Sequence, residues 1–398
     1  MTADQSRSPW LTVWLSPRQT IEQLVAKRPN HLVWPLAVVG TVASLYSQIT
    51  VVVGTTYLFG WQLALSLVLF GALVGTIWLY LAGLTLSWIG RLLGGAAPPL
   101  HMRAVFAWST LPTILGFAAI LLIEITHAIT PDAVPLLVAA ASLWSLIVFL
   151  LMLGRVERFG IWRTTLTYLL NLVLGLAIAL VIRSFLYQPF NIPAASMRPT
   201  LLVGDYILVS KFAYGYSRYS LPYSPRFFSR RIFSAEPARG DVVVFRVPKN
   251  RFDYVKRVVG LPGERIQMKQ GQLFINDVPV VRELLADAVD AKDACGIPSQ
   301  AHVKRWHETL PNGVSYDTLD CLDEGPLDNT SVYTVPDGYF FVLGDNRDNS
   351  TDSRVLAAVG YIPFENLIGR VSVIFFSRED GDGKPARVRA HRIGRVVR

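Results

Sequence analysis

Five long apolar runs fill the first half of the chain and set its predicted architecture. Each run is close to, or longer than, the ~20 residues that a helix needs to cross the hydrocarbon of a bilayer. Pro112 interrupts the third run, which membrane helices tolerate better than helices of soluble proteins do. The pattern therefore predicts about five transmembrane helices, over residues 32–53, 62–89, 104–124, 133–154 and 165–187.

After Phe190 the pattern changes to short runs of β-branched and aromatic residues, separated by Gly, Pro, Asn and Asp. Such runs are typical of antiparallel strands joined by turns. Within "MKQGQLFINDVP" a turn at Gly271 joins two alternating runs, which predicts a β-hairpin. The predicted fold is therefore an α-helical membrane domain followed by a mostly antiparallel β domain. Its boundaries are 1–160 for a multispanning region, 161–188 for an anchor helix and 189–398 for the β domain.

Composition agrees with a membrane protein, because 52% of the 398 residues are hydrophobic and the mean hydropathy is +0.37. Only 17% of the residues are charged, yet the formal net charge is +9. A basic excess suits contact with anionic membrane lipid. Nucleic-acid binding is the competing interpretation, but the sequence shows no zinc spacing, helix-turn-helix pattern or aromatic RNA-binding signature. We therefore expect no nucleic-acid partner.

Lys and Arg residues cluster at alternate ends of the apolar runs. They lie before the first run, between the second and third and between the fourth and fifth, whereas "GTTYLFG" has no charge and "EITHAITPD" has only acids. Because Lys and Arg near span ends stay in the cytoplasm, the N-terminus is predicted to be cytoplasmic and everything after Tyr187 to lie outside. Residues 1–30 lack the pattern of a cleavable export signal, so the helices are expected to remain as anchors.

The two cysteines, Cys295 and Cys321, both lie in the part that is predicted to be outside. An oxidising compartment favours a disulfide between them. It would close a loop of about 27 residues and stabilise the fold by roughly 3–4 kcal/mol in the chain-entropy model. Two free thiols are the alternative. No metal site is expected, because no His or Cys lies at ligand spacing beside them.

Ser196 is the candidate nucleophile, in a proline-flanked stretch between the last apolar run and the first strand. A serine hydroxyl needs a base that removes its proton. The histidines of the β domain, His302, His307 and His391, have no motif-like setting, and Pro199 in "SMRP" excludes an SxxK pattern. A lysine is the next candidate, provided that burial keeps it uncharged.

Lys256 in "FDYVKRVVGLPGERI" fits this requirement, because it follows Tyr254 and Val255 within a predicted strand. Lowering its pKa from ~10.4 by about 3 units would cost ~4 kcal/mol, which is tolerable only where function demands it. Periodicity alone does not select Lys256 over Lys211 or Lys249.

Four stretches together resemble the four successive conserved boxes of bacterial type I signal peptidases (leader peptidases): "NIPAASMRPTLLVGD", "RGDVVVFRVP", "DYVKRVVGLPGERI" and "GDNRDNSTDSR". The resemblance covers about residues 165–398. It implies a Ser-Lys dyad, in which Ser196 is the nucleophile and Lys256 is the general base that later protonates the leaving amine. It also implies that Ser350 hydrogen-bonds and orients this lysine.

Two ion pairs of the family also have counterparts here, Asp345 with Arg257 and Asp352 with Arg354. We expect these four side chains to support the structure rather than to take part in the chemistry.

The same resemblance implies the substrate. The family binds the end of a signal peptide as an added β-strand and accepts small side chains at the first and third positions before the cut, the Ala-X-Ala pattern. Shallow apolar pockets achieve this by excluding larger side chains. The matching positions, each of which is otherwise interpreted as ordinary core, are Phe190, Ile192, Met197, Leu201, Tyr254 and Val255.

Ala194 departs from the family pattern. Many relatives have a serine there, whose hydroxyl helps to bind the oxyanion of the tetrahedral intermediate. The backbone N–H of Ser196 would remain as a donor, but the loss of one donor typically costs ~2.7–4 kcal/mol of transition-state stabilisation. Either another group substitutes or turnover is slower.

The first half resembles the Yip-type family of multispanning membrane domains over about residues 8–155, through "WLTVWLSPRQTIEQLVAKRP", "IGRLLGG" and "AVFAWSTLPTIL". Within it "TIEQLV" predicts a short amphipathic helix that Thr20 caps. Partner binding and simple anchoring are both open roles for this region.

The sequence as a whole predicts a serine endopeptidase of the bacterial cytoplasmic membrane that removes signal peptides from exported preproteins on the outer face and needs no cofactor. Membrane lipid and the secretion machinery are further expected contacts. A non-catalytic scaffold or chaperone that binds signal peptides without cutting them is the alternative, motivated by Ala194 and by the additional membrane domain. A transporter is less favoured, because the spans contain few charged residues at mid-depth.

Overall fold

The computed structural model describes residues 8–53, 61–126, 133–221, 224, 231–247, 252–285, 295, 303–381 and 384–397. Lys249 and His302 lie outside the described residues. The chain divides into two compact units, Met1–Ile178 with Gly381–Arg387 and Ala179–Asp380 with Val388–Arg398. The domain boundaries after residues 160 and 188 remain a proposal.

The first unit is helical. Pro9, Pro17 and Pro99 each begin a helix, a position that suits proline because the first helical N–H has no acceptor within the helix. The α-helices are Pro9–Leu15 (α1), Pro17–Lys27 (α2), Val33–Val53 (α3), Trp61–Leu92 (α4), Pro99–Trp108 (α5), Leu111–Thr126 (α6), Val134–Glu157 (α7) and Ile161–Val181 (α8).

The predicted set of apolar helices is confirmed. Within the described ranges, the helical segments long and apolar enough to cross a membrane are Val33–Val51, Leu67–Leu92, Pro99–Thr126, Val134–Glu157 and Ile161–Leu186. The third is broken between α5 and α6, next to Pro112. Proline removes a backbone donor and crowds the preceding turn, so a break at this point is expected.

Trp108 lies at the centre of the helical core. Its side chain is 0% exposed, its Nε1 donates to the carbonyl of His31 at 3.1 Å, and it belongs to a buried cluster with Leu79, Met102 and Met152. Burying a tryptophan requires such a partner for its N–H.

The predicted cap at Thr20 is wrong. The helix begins three residues earlier, at Pro17, and Thr20 Oγ1 donates to the carbonyl of Ser16 from inside the helix. Proline has a backbone angle that suits the first helical position, which explains the earlier start.

The part of the chain after Leu186 is mostly antiparallel β-structure, as predicted. Its strands are Tyr187–Asn191 (β1), Asp205–Ser210 (β2), Val242–Arg246 (β3), Asp253–Gly260 (β4), Arg265–Lys269 (β5), Gln272–Ile275 (β6), Val278–Pro279 (β7), Val281–Leu285 (β8), Lys304–Thr309 (β9), Ser315–Asp320 (β10), Tyr333–Thr334 (β11), Tyr339–Leu343 (β12), Ile362–Pro363 (β13), Leu367–Gly381 (β14) and Lys384–Val388 (β15).

The strands of the described segments form three sheets. The largest has eight strands, in the order β1-β2-β14-β3-β4-β12-β13 with β15 as the eighth, and the smaller sheets run β10-β9-β8 and β11-β5-β6-β7. The predicted hairpin is present, because β5 pairs with β6 from Ile266↔Ile275 to Lys269↔Gln272. Gln270 and Gly271 between them have φ of +49° and +70°, as a two-residue hairpin turn requires.

β3 is buried on both faces, and it is the neighbour of the strand that carries Lys256. Val242 and Val244 belong to one buried cluster, whereas Val243 and Phe245 belong to another, so both faces of this strand are covered. β4 pairs with β3, and Lys256 lies opposite Val243. A lysine at this register faces a buried apolar strand across the pairing with β3.

Candidate active site

Ser196 lies on a short 3₁₀ turn, Ala195–Met197, just beyond β1. β1 pairs with β2 as far as Asn191↔Tyr206. Pro193 then follows, and proline cannot donate to a strand ladder, so the chain leaves the sheet at this point. The serine is therefore held close to the end of a strand rather than on a long loop.

Lys256 reaches Ser196 from β4. Its Nζ lies 2.6 Å from Ser196 Oγ, a hydrogen-bond distance. The lysine is 3% exposed, and burial, which disfavours the ammonium form, lowers its pKa to about 8. At such a pKa about one amine in ten is uncharged at pH 7. A neutral amine in this position is able to accept the proton of the serine hydroxyl.

Two buried ion pairs lie around this amine. Arg257 Nη2 is 2.7 Å from Asp345 Oδ2 and Arg354 Nε is 2.8 Å from Asp352 Oδ1, and all four side chains are at most 1% exposed. Burial opposes the charged form of Asp352, but Arg354, the backbone N–H of Gly344 and the hydroxyl of Ser350 together outweigh burial and lower the pKa of this carboxyl.

These pairs limit the effect of the carboxylates on the lysine. The charges of Asp352 and Asp345 act to raise the pKa of Lys256, whereas burial and the charge of Arg354 act to lower it. Because each carboxylate is matched by its own arginine, burial decides the result.

Ser350 is near the site, but without the bond that the resemblance implies. Its Oγ is buried and has no hydrogen-bond partner of standard geometry among the described residues. The hydroxyl lies beside the carboxylate of Asp352, whose charged form it favours. A role for Ser350 in orienting Lys256 therefore remains a proposal.

Two residues that sequence reasoning did not single out contact the serine turn. Asn346 donates its backbone N–H to the carbonyl of Ser196 at 3.1 Å and its Nδ2 to the carbonyl of Ala195 at 3.2 Å. A Cβ on Gly344 would lie 2.6 Å from the Ser196 carbonyl oxygen. Both residues belong to the box "GDNRDNSTDSR", which is the signal that could have identified them.

The six apolar positions fall into two groups by burial. Met197 and Leu201 are at most 1% exposed and Ile192 is 5% exposed, so these three are core residues. Phe190, Tyr254 and Val255 are half-buried. Five of the six, all but Tyr254, pack in one cluster beneath the end of β1.

Cys295 and Cys321 form a disulfide. The backbone N–H of Cys321 donates to Asp348 Oδ2 at 2.8 Å. Asp348 belongs to a group of three aspartates with Asp320 and Asp328, whose carboxylate oxygens lie within 4.8 Å of one another. Burial and the charge of Asp348 raise the pKa of Asp320 to about 6. The expectation that the protein needs no metal remains a prediction.

The chain is similar to known proteins in both halves. Residues 165–376 match the family model "Signal peptidase, peptidase S26", and residues 11–182 match the Yip1 domain. Signal peptidase I of Rickettsia typhi is 41% identical over 211 residues, which are 51% of this chain and 76% of that protein. Signal peptidase I of Rickettsia prowazekii is 42% identical, with the same shares covered.

A crystal structure of a signal peptidase I from Enterococcus faecalis V583 has 28% sequence identity to this chain. The match covers 34% of this chain and 97% of that one, with a TM-score of 0.20. This score is too low for a comparison of the two folds.

Proposed function

This chain belongs to the signal peptidase family, peptidase S26, so it is a membrane-anchored peptidase that removes signal peptides, and we propose that it does so with a Ser196–Lys256 dyad. The observation that supports this proposal best is the 2.6 Å separation between Ser196 Oγ and Lys256 Nζ. The burial of the lysine supplies the second requirement, an amine that can be neutral near physiological pH.

In the proposed reaction, Ser196 Oγ attacks the carbonyl carbon of the scissile bond while its proton passes to Lys256 Nζ. The carbonyl oxygen becomes an oxyanion. When the C–N bond breaks, the lysine returns the proton to the leaving amine, which is the new N-terminus of the mature protein. A water molecule then attacks the carbonyl carbon of the acyl-serine while Lys256 takes its proton. The ester C–O bond breaks, the lysine returns the proton to Ser196 Oγ, and the signal peptide leaves with a new C-terminal carboxyl group.

The proposed substrate site runs along β1. Among the described strands β1 pairs only with β2, so its other edge is available to a peptide in extended form. This edge leads directly to the Ser196 turn. We propose that the half-buried Phe190, Tyr254 and Val255 line pockets for the small side chains of an Ala-X-Ala site, while the buried Ile192, Met197 and Leu201 form the floor beneath them.

The orientation is also a proposal. The distribution of Lys and Arg around the spans supports a cytoplasmic N-terminus and an extracytoplasmic catalytic unit in a bacterial cytoplasmic membrane. A substrate whose signal peptide is still in the bilayer would then present its cleavage site on the side where Ser196 lies. The exposed apolar side chains of the spans support contact with lipid.

A cleavage assay tests the dyad. Full-length protein in detergent is expected to cut a model preprotein after Ala-X-Ala, and Ser196→Ala and Lys256→Ala are each expected to abolish cleavage. Ser315→Ala and Lys269→Ala, at residues on exposed parts of β10 and β5, serve as matched controls. Activities are compared only among variants whose melting temperature matches that of the unaltered protein. Full turnover in either dyad variant contradicts the proposal, and binding without cleavage by the unaltered protein supports a scaffold instead.

A further inference from the structure

The peptide group that precedes Ser196 is held by its carbonyl. The carbonyl of Ala195 accepts two hydrogen bonds, from the backbone N–H of Arg198 at 3.1 Å and from Asn346 Nδ2 at 3.2 Å. The N–H of the same peptide group belongs to Ser196. Among the described residues no backbone or side-chain acceptor receives this N–H.

The geometry of a peptide bond links these two groups. The Ala195–Ser196 bond is trans, since the cis bond found among the described residues is Arg198–Pro199. In a planar trans peptide the C=O and the N–H point in opposite directions. A side chain that fixes the Ala195 carbonyl therefore also fixes the direction of the Ser196 N–H.

We propose that Asn346 is a positioning residue that directs the Ser196 N–H toward the oxyanion of the tetrahedral intermediate. This inference rests on the proposed role of Ser196 as the nucleophile. Ala194, two residues earlier, has no side-chain donor, so the N–H is the donor that the turn itself supplies. Asn346 acts through the peptide group and touches no reacting atom.

The hydrogen bond from Asn346 to the Ala195 carbonyl also has an electronic effect, and this effect too favours donation by the Ser196 N–H. As Ser196 Oγ bonds to the substrate carbon, its proton goes to Lys256 and the electron pair of the C=O bond moves to the oxygen, where a fixed N–H donor stabilises the charge. A hydrogen bond accepted by the Ala195 carbonyl polarises the amide and makes its N–H a better donor.

Asn346 is itself fixed by its neighbours. Its side chain is 0% exposed, and its segment pairs with Leu319: the N–H of Leu319 donates to the carbonyl of Asp345 and the N–H of Arg347 donates to that of Leu319, both at 2.8 Å. These two hydrogen bonds, one on each side of Asn346, leave its backbone little freedom to move.

The orientation of the amide follows from its two neighbours. Asn346 Oδ1 lies 3.3 Å from Cys321 Sγ, which is a disulfide sulfur without a hydrogen. Rotating the amide by 180° would set Oδ1 against the carbonyl oxygen of Ala195, so that two acceptors would face each other. Nδ2 toward Ala195 is therefore the favoured assignment.

The first test compares Asn346→Ala with Asn366→Ala. Asn366 is also buried, and its Nδ2 donates to a backbone carbonyl, that of Arg246, at 2.8 Å. Both variants therefore lose the same kind of bond. Asn346→Ala is expected to lower kcat by about 10-fold to 100-fold, less than the about 10²–10³-fold loss of a whole oxyanion donor, with KM within a factor of about three. Asn366→Ala is expected to keep kcat.

The second test separates transition-state from ground-state binding. A peptide aldehyde that ends in Ala-X-alaninal adds Ser196 Oγ to its carbonyl carbon, and the resulting hemiacetal oxygen occupies the oxyanion position. In Asn346→Ala its affinity is expected to fall in parallel with kcat/KM, whereas the affinity for the product peptide of the same sequence is unchanged. If the substitution only damaged the local structure, the affinities for the aldehyde and for the product peptide would fall equally.

Asn346→Asp provides a variant of the same shape in case Asn346→Ala does not fold. It keeps the backbone N–H and Oδ1 but sets a carboxylate oxygen against the Ala195 carbonyl, so kcat is expected to fall at least as far. Unchanged kcat in folded Asn346→Ala, or equal losses of aldehyde and product affinity, overturns the inference. Cleavage that persists in Ser196→Ala or Lys256→Ala instead contradicts the proposed dyad, so the two failures are distinguishable.

Discussion

Two buried lysines among the described residues of the second unit differ in what their amines contact. Lys211 is 2% exposed and Lys256 is 3% exposed, and burial lowers the pKa of each to about 8. Lys256 Nζ lies beside the hydroxyl of Ser196, whereas Lys211 Nζ donates to the backbone carbonyl of Ser220. A lowered pKa is therefore evidence of burial, and only the partner distinguishes a candidate base from a structural side chain.

The charges around the two lysines also differ. The carboxylates near Lys256 are each paired with an arginine that is fully buried. Near Lys211 the charges of Arg183, Arg246 and Asp253 contribute, and the Arg246–Asp253 pair is 26% and 23% exposed. The environment of Lys256 is therefore fixed and dry, whereas solvent screens part of the environment of Lys211.

The largest expected difference is in catalysis. Lys256→Met is expected to lower kcat/KM by about 10⁴-fold, the upper end for the loss of a general base, whereas Lys211→Met is expected to stay within a factor of about three. Both variants replace a buried lysine amine whose pKa is about 8, so each controls for the other. The measurement is the rate of preprotein cleavage at pH 8. Comparable losses in the two variants would show that burial, rather than the contact with Ser196, determines the effect.

The second difference is in stability. Asp345→Ala leaves the guanidinium of Arg257 buried without its partner, which is expected to lower the free energy of unfolding by about 3–5 kcal/mol. Asp253→Ala breaks a partly exposed pair and is expected to cost less than about 1 kcal/mol. Urea unfolding of the full-length protein in detergent measures both. Equal costs would mean that the charges around Lys256 are no more tightly organised than those around Lys211.

The pH dependence of kcat/KM distinguishes Lys256 from Lys211 further. Because the base must be neutral, kcat/KM is expected to rise about tenfold per pH unit below pH 8 and to level off above it. Lys211→Met is expected to keep this profile, since its amine takes no part in the reaction. Initial rates between pH 5 and 10 provide the test, and a flat profile counts against Lys256 as the base.

The smallest expected effect is the pH dependence of stability. Lys211 has a pKa of about 8 in the folded protein, below the ~10.4 of an unfolded chain. Between these values the unfolded state binds more protons, so stability rises with pH by up to about 1.4 kcal/mol per unit for this group. Lys211→Met is expected to remove that part of the rise. Unfolding at pH 8 and pH 10 measures it, and an identical rise in the variant would contradict the low pKa.

The sequence was sufficient for features that depend on local pattern. Long apolar runs predicted the spans because spanning a bilayer requires length and hydropathy, and the turn around Gly271 predicted its hairpin because few residues accept a positive φ. Ser196 and Lys256 came from four short boxes in order. Periodicity alone did not select Lys256, which lies within β4, over Lys211, which directly follows β2.

The sequence was insufficient where contacts join distant segments. The bond between Asn346 and Ala195 depends on pairing with Leu319, which no local pattern indicates. The three aspartates that meet at Asp348 come from separate loops and strands. The resemblance implies a hydrogen bond from Ser350 to Lys256, but Ser350 Oγ makes no hydrogen bond of standard geometry among the described residues. A small rotation of one side chain makes or breaks such a bond, and the sequence does not determine that rotation.

At Gly344 a side chain is excluded by lack of space and not by the backbone angle φ. At Gly313 and Gly338 a Cβ would meet nothing within 4 Å, although both have positive φ. At Gly344 one added methyl would lie 2.2 Å from Ser350 Oγ and 2.6 Å from the Ser196 oxygen. Even the smallest side chain there would displace the main chain that bears Ser196. An alanine at Gly344 is therefore expected to disturb the Ser196 turn, whereas added volume at Gly313 or Gly338 meets open space.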